Sequence, residues 1–169
     1  MVFGMSLQTY TLIHVVISLI GIGSGLVVLF GMFSGKRLNR LTALFLVTTA
    51  LTSITGFGFP FERLLPSHII AIISLVVLAV CIAARYGLHM AGKWRAIYAI
   101  TAVTALYLNV FVLVAQAFLK VPALHALAPK GNEPPFAIVQ GIVLVLFIML
   151  GVRAVKKFHP EQARMARGA

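Results

Sequence analysis

A chain of 169 residues that is 61% hydrophobic and only 10% charged is not an ordinary water-soluble domain; those run at about 45–50% apolar and ~25% charged residues. The net charge of +11 would suit nucleic acid, but the 14 Lys and Arg fall between and after long apolar runs. That is a membrane-orientation signal rather than a basic face for a polynucleotide.

No basic segment precedes the first run and no small-residue cleavage site follows it, so residues 10–33 are expected to form a retained helix. Within it His14, Ser18, Gly21 and Gly25 fall in one narrow arc, Gly21 and Gly25 about 40° apart at ~100° per residue. Small residues on one stripe allow close helix approach in membranes. The stripe should therefore face protein, His14 with it. The sequence Gly21-Ile-Gly23-Ser-Gly25 lies mid-run with no strand before it, so phosphate binding is not expected there.

The basic loop around Lys36, Arg37 and Arg40 leads to a second run, 41–59, in which Thr48, Thr49, Thr52, Thr55 and Gly56 share a small, hydroxyl-bearing face suited to helix packing. Gly56, Gly58 and Pro60 end it. Pro66-Ser67-His68 opens a third run, 67–84, as helix-start residues do, and residues 85–95 connect it to the fourth. That fourth run, 94–119, carries Asn109 and Gln116 on a stripe with small residues, and buried amides need partners. A proline-rich stretch with a short turn near 123–127 precedes the fifth run, 136–155, which holds Gln140 near its start. A basic tail, 156–169, ends the chain.

These runs, each close to the ~20 residues that span about 30 Å of hydrocarbon, predict an all-α polytopic bundle of five transmembrane helices in a single membrane domain. Sorting the cations by alternate loops puts eleven on one side (Lys36, Arg37, Arg40, Arg85, Lys93, Arg95, Arg153, Lys156, Lys157, Arg164, Arg167) and three on the other (Arg63, Lys120, Lys130). The expectation is an N-terminus outside and a C-terminus in the cytoplasm. Tyr86 and Trp94 would mark the cytoplasmic boundary, with His89 and His159 solvated nearby.

The three acids, Glu62, Glu133 and Glu161, all fall outside the runs. A carboxylate relay, a paired-carboxylate site and a His-Glu-x-x-His zinc motif are therefore not found, and no nucleophile, base and orienting group assemble. Catalysis is not the expected role. Cys81, the single cysteine, reads as a packing residue.

The remaining polar residues gather toward the outer ends of the runs: His14, His68, Asn109, Gln116 and Gln140. The first expectation for this cluster is a hydrogen-bond network that orients the helices, with no cofactor. The alternative is a b-type haem, since histidines on separate membrane helices are its usual ligands, although His14 and His68 differ in depth by roughly 6 Å. Zinc or copper through His14, His68 and His125 lacks cysteine and carboxylate support, and the metal assignment stays open. A small-solute carrier is the third reading. The expected partners are lipid, a second copy of the chain or another membrane protein, and not nucleic acid.

The stretch from His14 through Gly25, the basic loop and the Thr-rich second run resemble small multi-pass proteins of the bacterial inner membrane of uncharacterised function. So do Gly58-Phe-Pro-Phe61, Pro66-Ser67-His68, Tyr107-Leu-Asn109-Val-Phe and Glu133-Pro-Pro135-Phe. The resemblance implies a bacterial inner-membrane location and no particular activity. The broader group often has a second histidine after the first loop, where this chain has Asn39-Arg40.

Overall fold

A computed structural model describes residues 4–59 and 66–160. Phe61, Glu62 and Arg63 of the second loop, and Glu161, Arg164 and Arg167 of the tail, lie outside the described residues.

The fold is all-helical. Helix α1, Leu7–Phe33, starts at Ser6, whose side chain accepts from the Thr9 amide at 3.1 Å. It closes on Gly35 at φ 63°, where the Lys36 amide reaches back to the Gly31 carbonyl at 2.9 Å. Helix α2, Asn39–Gly56, begins two residues earlier than the sequence suggests, inside the basic loop. It stops three residues sooner, at the glycines. Helix α3, Pro66–Ile82, runs on into a π-helical turn, Ala83–Gly87, so Arg85 belongs to the helix end rather than to the connecting loop.

Helix α4, Trp94–Lys120, is followed by a single turn, α5, Pro122–His125, and by α6, Pro134–Lys157. The paired prolines were expected ahead of the last helix, yet they form its first turn. A missing N–H costs nothing there, because the first amides of a helix lack partners anyway.

Helix α4 sits at the centre, touching α1, α2, α3 and α6. On one side α1 and α2 run antiparallel, and α3 packs on the far side of α2; among the described residues α1 and α3 do not touch. The core concentrates toward the basic end, around Leu29, Met32, Phe45, Leu78, Tyr98, Leu106 and Phe158. Outward faces are apolar as well: Leu12, Val47, Val76, Ile142 and Met149 are all exposed. In water such a surface would aggregate, whereas in lipid it is the expected exterior.

Four helical stretches are long and apolar enough to cross a membrane: Leu7–Phe33, Ser67–Gly87, Trp94–Lys120 and Pro134–Lys157. Helix α2 is outside that group. Its 18 residues reach about 27 Å, but Asn39, Arg40 and hydroxyls at 42, 48, 49, 52, 53 and 55 dilute its apolar character.

Candidate functional site

The small-residue stripe of α1 lies against α2 in a regular antiparallel register. His14 meets Thr55, Gly21 meets Thr48 and Thr49, and Gly25 meets Phe45. Eleven residues along α1, from His14 to Gly25, are matched by ten back along α2, from Thr55 to Phe45. Gly21 is also where α4 arrives: a β-carbon placed there would sit 3.2 Å from Thr48 Oγ1, 3.4 Å from Thr49 Oγ1 and 3.5 Å from Asn109 Nδ2. At Gly25 it would come within 2.7 Å of Leu106 and 2.8 Å of Phe45. Ser18 lies half-buried between these contacts.

The hydroxyls on α2 serve their own helix first. Thr48 donates to the Leu44 carbonyl at 2.7 Å, Thr52 to Thr48 at 2.9 Å and Thr55 to Leu51 at 2.6 Å. This leaves their oxygens as acceptors toward neighbouring helices. Asn109 Nδ2 donates to Thr49 Oγ1 at 3.1 Å, joining α4 to α2 at buried residues. Ser53 Oγ, which also reaches the Thr49 carbonyl at 3.0 Å, lies 3.2 Å from Ser74 Oγ, joining α2 to α3.

The same logic fixes the histidine. His14 Nδ1 lies 2.8 Å from Thr55 Oγ1, and the Thr55 proton is already committed to Leu51. With the Thr55 proton on Leu51, Nδ1 donates, and in the neutral ring Nε2 is then the unprotonated nitrogen. Phe59 packs edge-on against His14 at 5.2 Å and Tyr10 at 5.0 Å, and the Tyr10 hydroxyl donates to the Thr55 carbonyl at 2.7 Å.

His68, buried on α3, packs on Phe57 at 5.4 Å. The two imidazoles thus belong to helices on opposite flanks of α2, each against a different phenylalanine from the α2 end. Gln140 Nε2 donates to the Phe111 carbonyl at 3.0 Å, tying α6 to α4, while its buried Oε1 has no partner. Gln116 is half-buried two turns beyond Asn109 and makes no hydrogen bond among the described residues. His125 is exposed on α5. Among the described residues no three His, Cys, Asp or Glu side chains group as a metal site would require. Cys81 is fully buried.

Of the expected cluster, His14, Asn109 and Gln140 make separate helix-to-helix ties, whereas Gln116 makes none among the described residues. Gly21, Thr48 and Asn109 do converge, through Thr49 of the same hydroxyl-bearing face.

A second polar centre, at the basic end, was not anticipated from the sequence. Arg85 is only 5% exposed. Its Nη2 donates to the Arg37 carbonyl at 2.9 Å and to Asn39 Oδ1 at 2.8 Å, and the guanidinium lies 4.9 Å from the Tyr98 ring centre. Leu38 between those acceptors is left-handed, φ 43°. That turn brings the Arg37 carbonyl and the Asn39 amide onto one cation, and the Leu38 side chain fills the space beside Gly31. The described partners are all neutral, so the cation is solvated by dipoles and an aromatic face. The clue in the sequence was Arg85 next to Tyr86, with no acid nearby to balance it.

Arg95 donates to the Val155 and Phe158 carbonyls at 3.0 and 2.6 Å. A cation at the C-terminus of α6 also complements its dipole.

No protein-family model, curated protein or solved structure matches this chain.

Proposed function

We propose that the chain is a non-catalytic binding or accessory component of a bacterial inner membrane, crossing five times with its N-terminus outside. The observation that carries this reading is the use of the interior polar groups. His14, Asn109 and Gln140 each join one helix to another, which is the work of a scaffold. Helix α2 is taken as the fifth crossing because it follows α1 in antiparallel register from Gly25 to His14. Orientation rests on the cations: Lys36, Arg37, Arg40, Arg85, Lys93, Arg95, Arg153, Lys156 and Lys157 lie at one end, Lys120 and Lys130 at the other.

The test is to purify the full chain from its own membrane and identify what accompanies it, for the native protein and for His14→Gln. The amide side chain keeps a donor for Thr55, so the expected result is an unchanged set of companions and unchanged absorption spectra.

A second reading, a b-type haem or metal protein, has one observation in its favour: His14 turns Nδ1 to Thr55, which leaves Nε2 as the nitrogen for a metal. An absorption band in the native protein that disappears in His14→Gln would establish this reading and overturn the first. Solute flux in liposomes containing the chain alone would favour a carrier.

A further inference from the structure

Between helices α4 and α6 lies an apolar groove of about 370 Å³, walled by Ile100, Val103 and Tyr107 on α4 and by Phe147, Gly151 and Val152 on α6. The volume is in the range of small-molecule sites. Its lips are exposed, Ile100 at 52% and Val152 at 50%. Gly151 keeps it open, since the nearest atom to a β-carbon there would be Val103 Cγ1 at 3.5 Å.

The wall residues recur at helical spacing, so the stripes can be followed past the groove toward the basic end. Seven residues before Ile100, at the N-cap of α4 and in line with the same face, is Lys93; four after Val152 on the same face of α6 is Lys156. Both are exposed and make no hydrogen bond or ion pair among the described residues. By contrast, Arg95 is committed to backbone carbonyls and Arg153 stacks 4.6 Å from the Phe33 ring. The first turn of α4 has no acidic residue and no side-chain cap, so its positive dipole end adds to the field of the two lysines. An apolar channel with cations and a helix N-terminus at one end has the polarity of an anionic phospholipid.

We propose that the groove between α4 and α6 holds one acyl chain of an anionic phospholipid whose phosphate lies between Lys93 and Lys156. The groove, about 12 Å along α6, takes the part of the chain nearest the glycerol. The tail continues along the apolar outer face, and Tyr107 closes the inner limit of the contact. A headgroup without net charge would enter the groove with the same tail but leave the lysines uncompensated.

This rests on the membrane placement proposed above only in requiring a bilayer around α4 and α6. Fusion reporters can fail to show five crossings while lipid binding holds, and the reverse.

The experiment uses the full chain in detergent, titrated with phosphatidylglycerol and with phosphatidylcholine of identical acyl chains and followed by native mass spectrometry. The expected preference for phosphatidylglycerol is roughly twenty-five-fold, from two cations each contributing about fivefold. The Lys93→Gln/Lys156→Gln pair should remove most of it. Gly151→Leu should weaken both lipids together. In case that variant fails to fold, a photoreactive group on the acyl chain is cross-linked to the unaltered protein, and the label is expected on Tyr107, Phe147 or Ile148. Equal affinity for the two lipids, or label spread over α1 and α3, overturns the proposal. So does a second copy of the chain cross-linked across the groove in place of lipid.

Discussion

At the scale of single residues, what matters is whether each polar atom is satisfied. Gln140 spends its amide hydrogens on a carbonyl and buries an oxygen with no partner, and an unsatisfied buried acceptor costs about 1–3 kcal/mol. Replacing both ends by an apolar side chain of similar volume removes that cost along with the hydrogen bond. Gln140→Leu should therefore leave thermal stability in detergent within about 1 kcal/mol of native, or raise it. A loss above about 3 kcal/mol would mean that Oε1 has a tightly held partner such as an ordered water.

Glu133 is the opposite case. The amide of Lys130 donates to one carboxylate oxygen at 3.0 Å and that of Asn132 to the other at 3.1 Å, and the first of these chiefly holds its pKa below the ordinary carboxylate range. Because the folded value is the lower one, the ordering it gives is complete above the ordinary pKa of about 4.3 and is lost as pH falls through the depressed value. Hydrogen exchange at Lys130 and Asn132, corrected for intrinsic rates, should be flat from pH 5 to 8 and accelerate only below about pH 4. Glu133→Gln should lower protection across the whole range.

At the scale of elements, three glycines of α1 provide an internal comparison. Gly25 faces Leu106 and Phe45 at distances no real β-carbon adopts, Gly21 faces two hydroxyls and an amide at tight but yielding distances, and Gly23 faces nothing within 4 Å. Alanine favours a helix over glycine by up to about 1 kcal/mol, while forcing a methyl into a packed seam costs about 1–3 kcal/mol. The expected order of melting temperature in detergent is Gly23→Ala highest, Gly21→Ala intermediate and Gly25→Ala lowest. Equal values would show that the α1–α2–α4 seam is not formed as described. The π-helical turn belongs to the same scale. It carries Arg85 beneath the loop between α1 and α2, and the residues that follow it, His89 and Met90, take left-handed backbone angles of φ 50° and 59°. Such angles persist in bulky residues only where surrounding contacts enforce them, and here the Met90 amide bonds the Ala84 carbonyl at 2.9 Å while its side chain is buried.

At the scale of the whole molecule, the asymmetry of charge and the pattern of helices make a joint statement about topology. Reporter fusions after Arg40, Ser67, Lys93, Lys130 and Gly168 should read inside, outside, inside, outside, inside. The Ser67 fusion is the decisive one, because α2 is the helix with the most hydroxyls and the least apolar length to spare. If it and the Arg40 fusion report the same side, α2 is buried between its neighbours without crossing, and the later helices reverse their orientation.

Composition and the period of the apolar runs were enough to determine an all-helical chain, the approximate place of each long helix and the stripe that α1 turns toward protein. These follow from local chemistry: backbone groups in hydrocarbon must bond within a helix, and small residues at a spacing of four must share a face. That Asn109 and Gln140 would meet another helix was legible for the same reason, since an amide in lipid requires a partner, although Gln116 makes no such bond among the described residues. The identity of the partners was not. That Asn109 meets Thr49, that His14 and His68 fall on opposite flanks of α2, and that Arg85 folds under the loop at Leu38 all depend on which helices are neighbours. That choice is made by the fit of side chains between segments distant in sequence, Gly25 against Phe45 and Leu106 above all, and such a fit leaves no period in the sequence to read. The groove between α4 and α6 is likewise a property of the pair: each wall alone is an ordinary apolar helix face, and only their spacing makes a site.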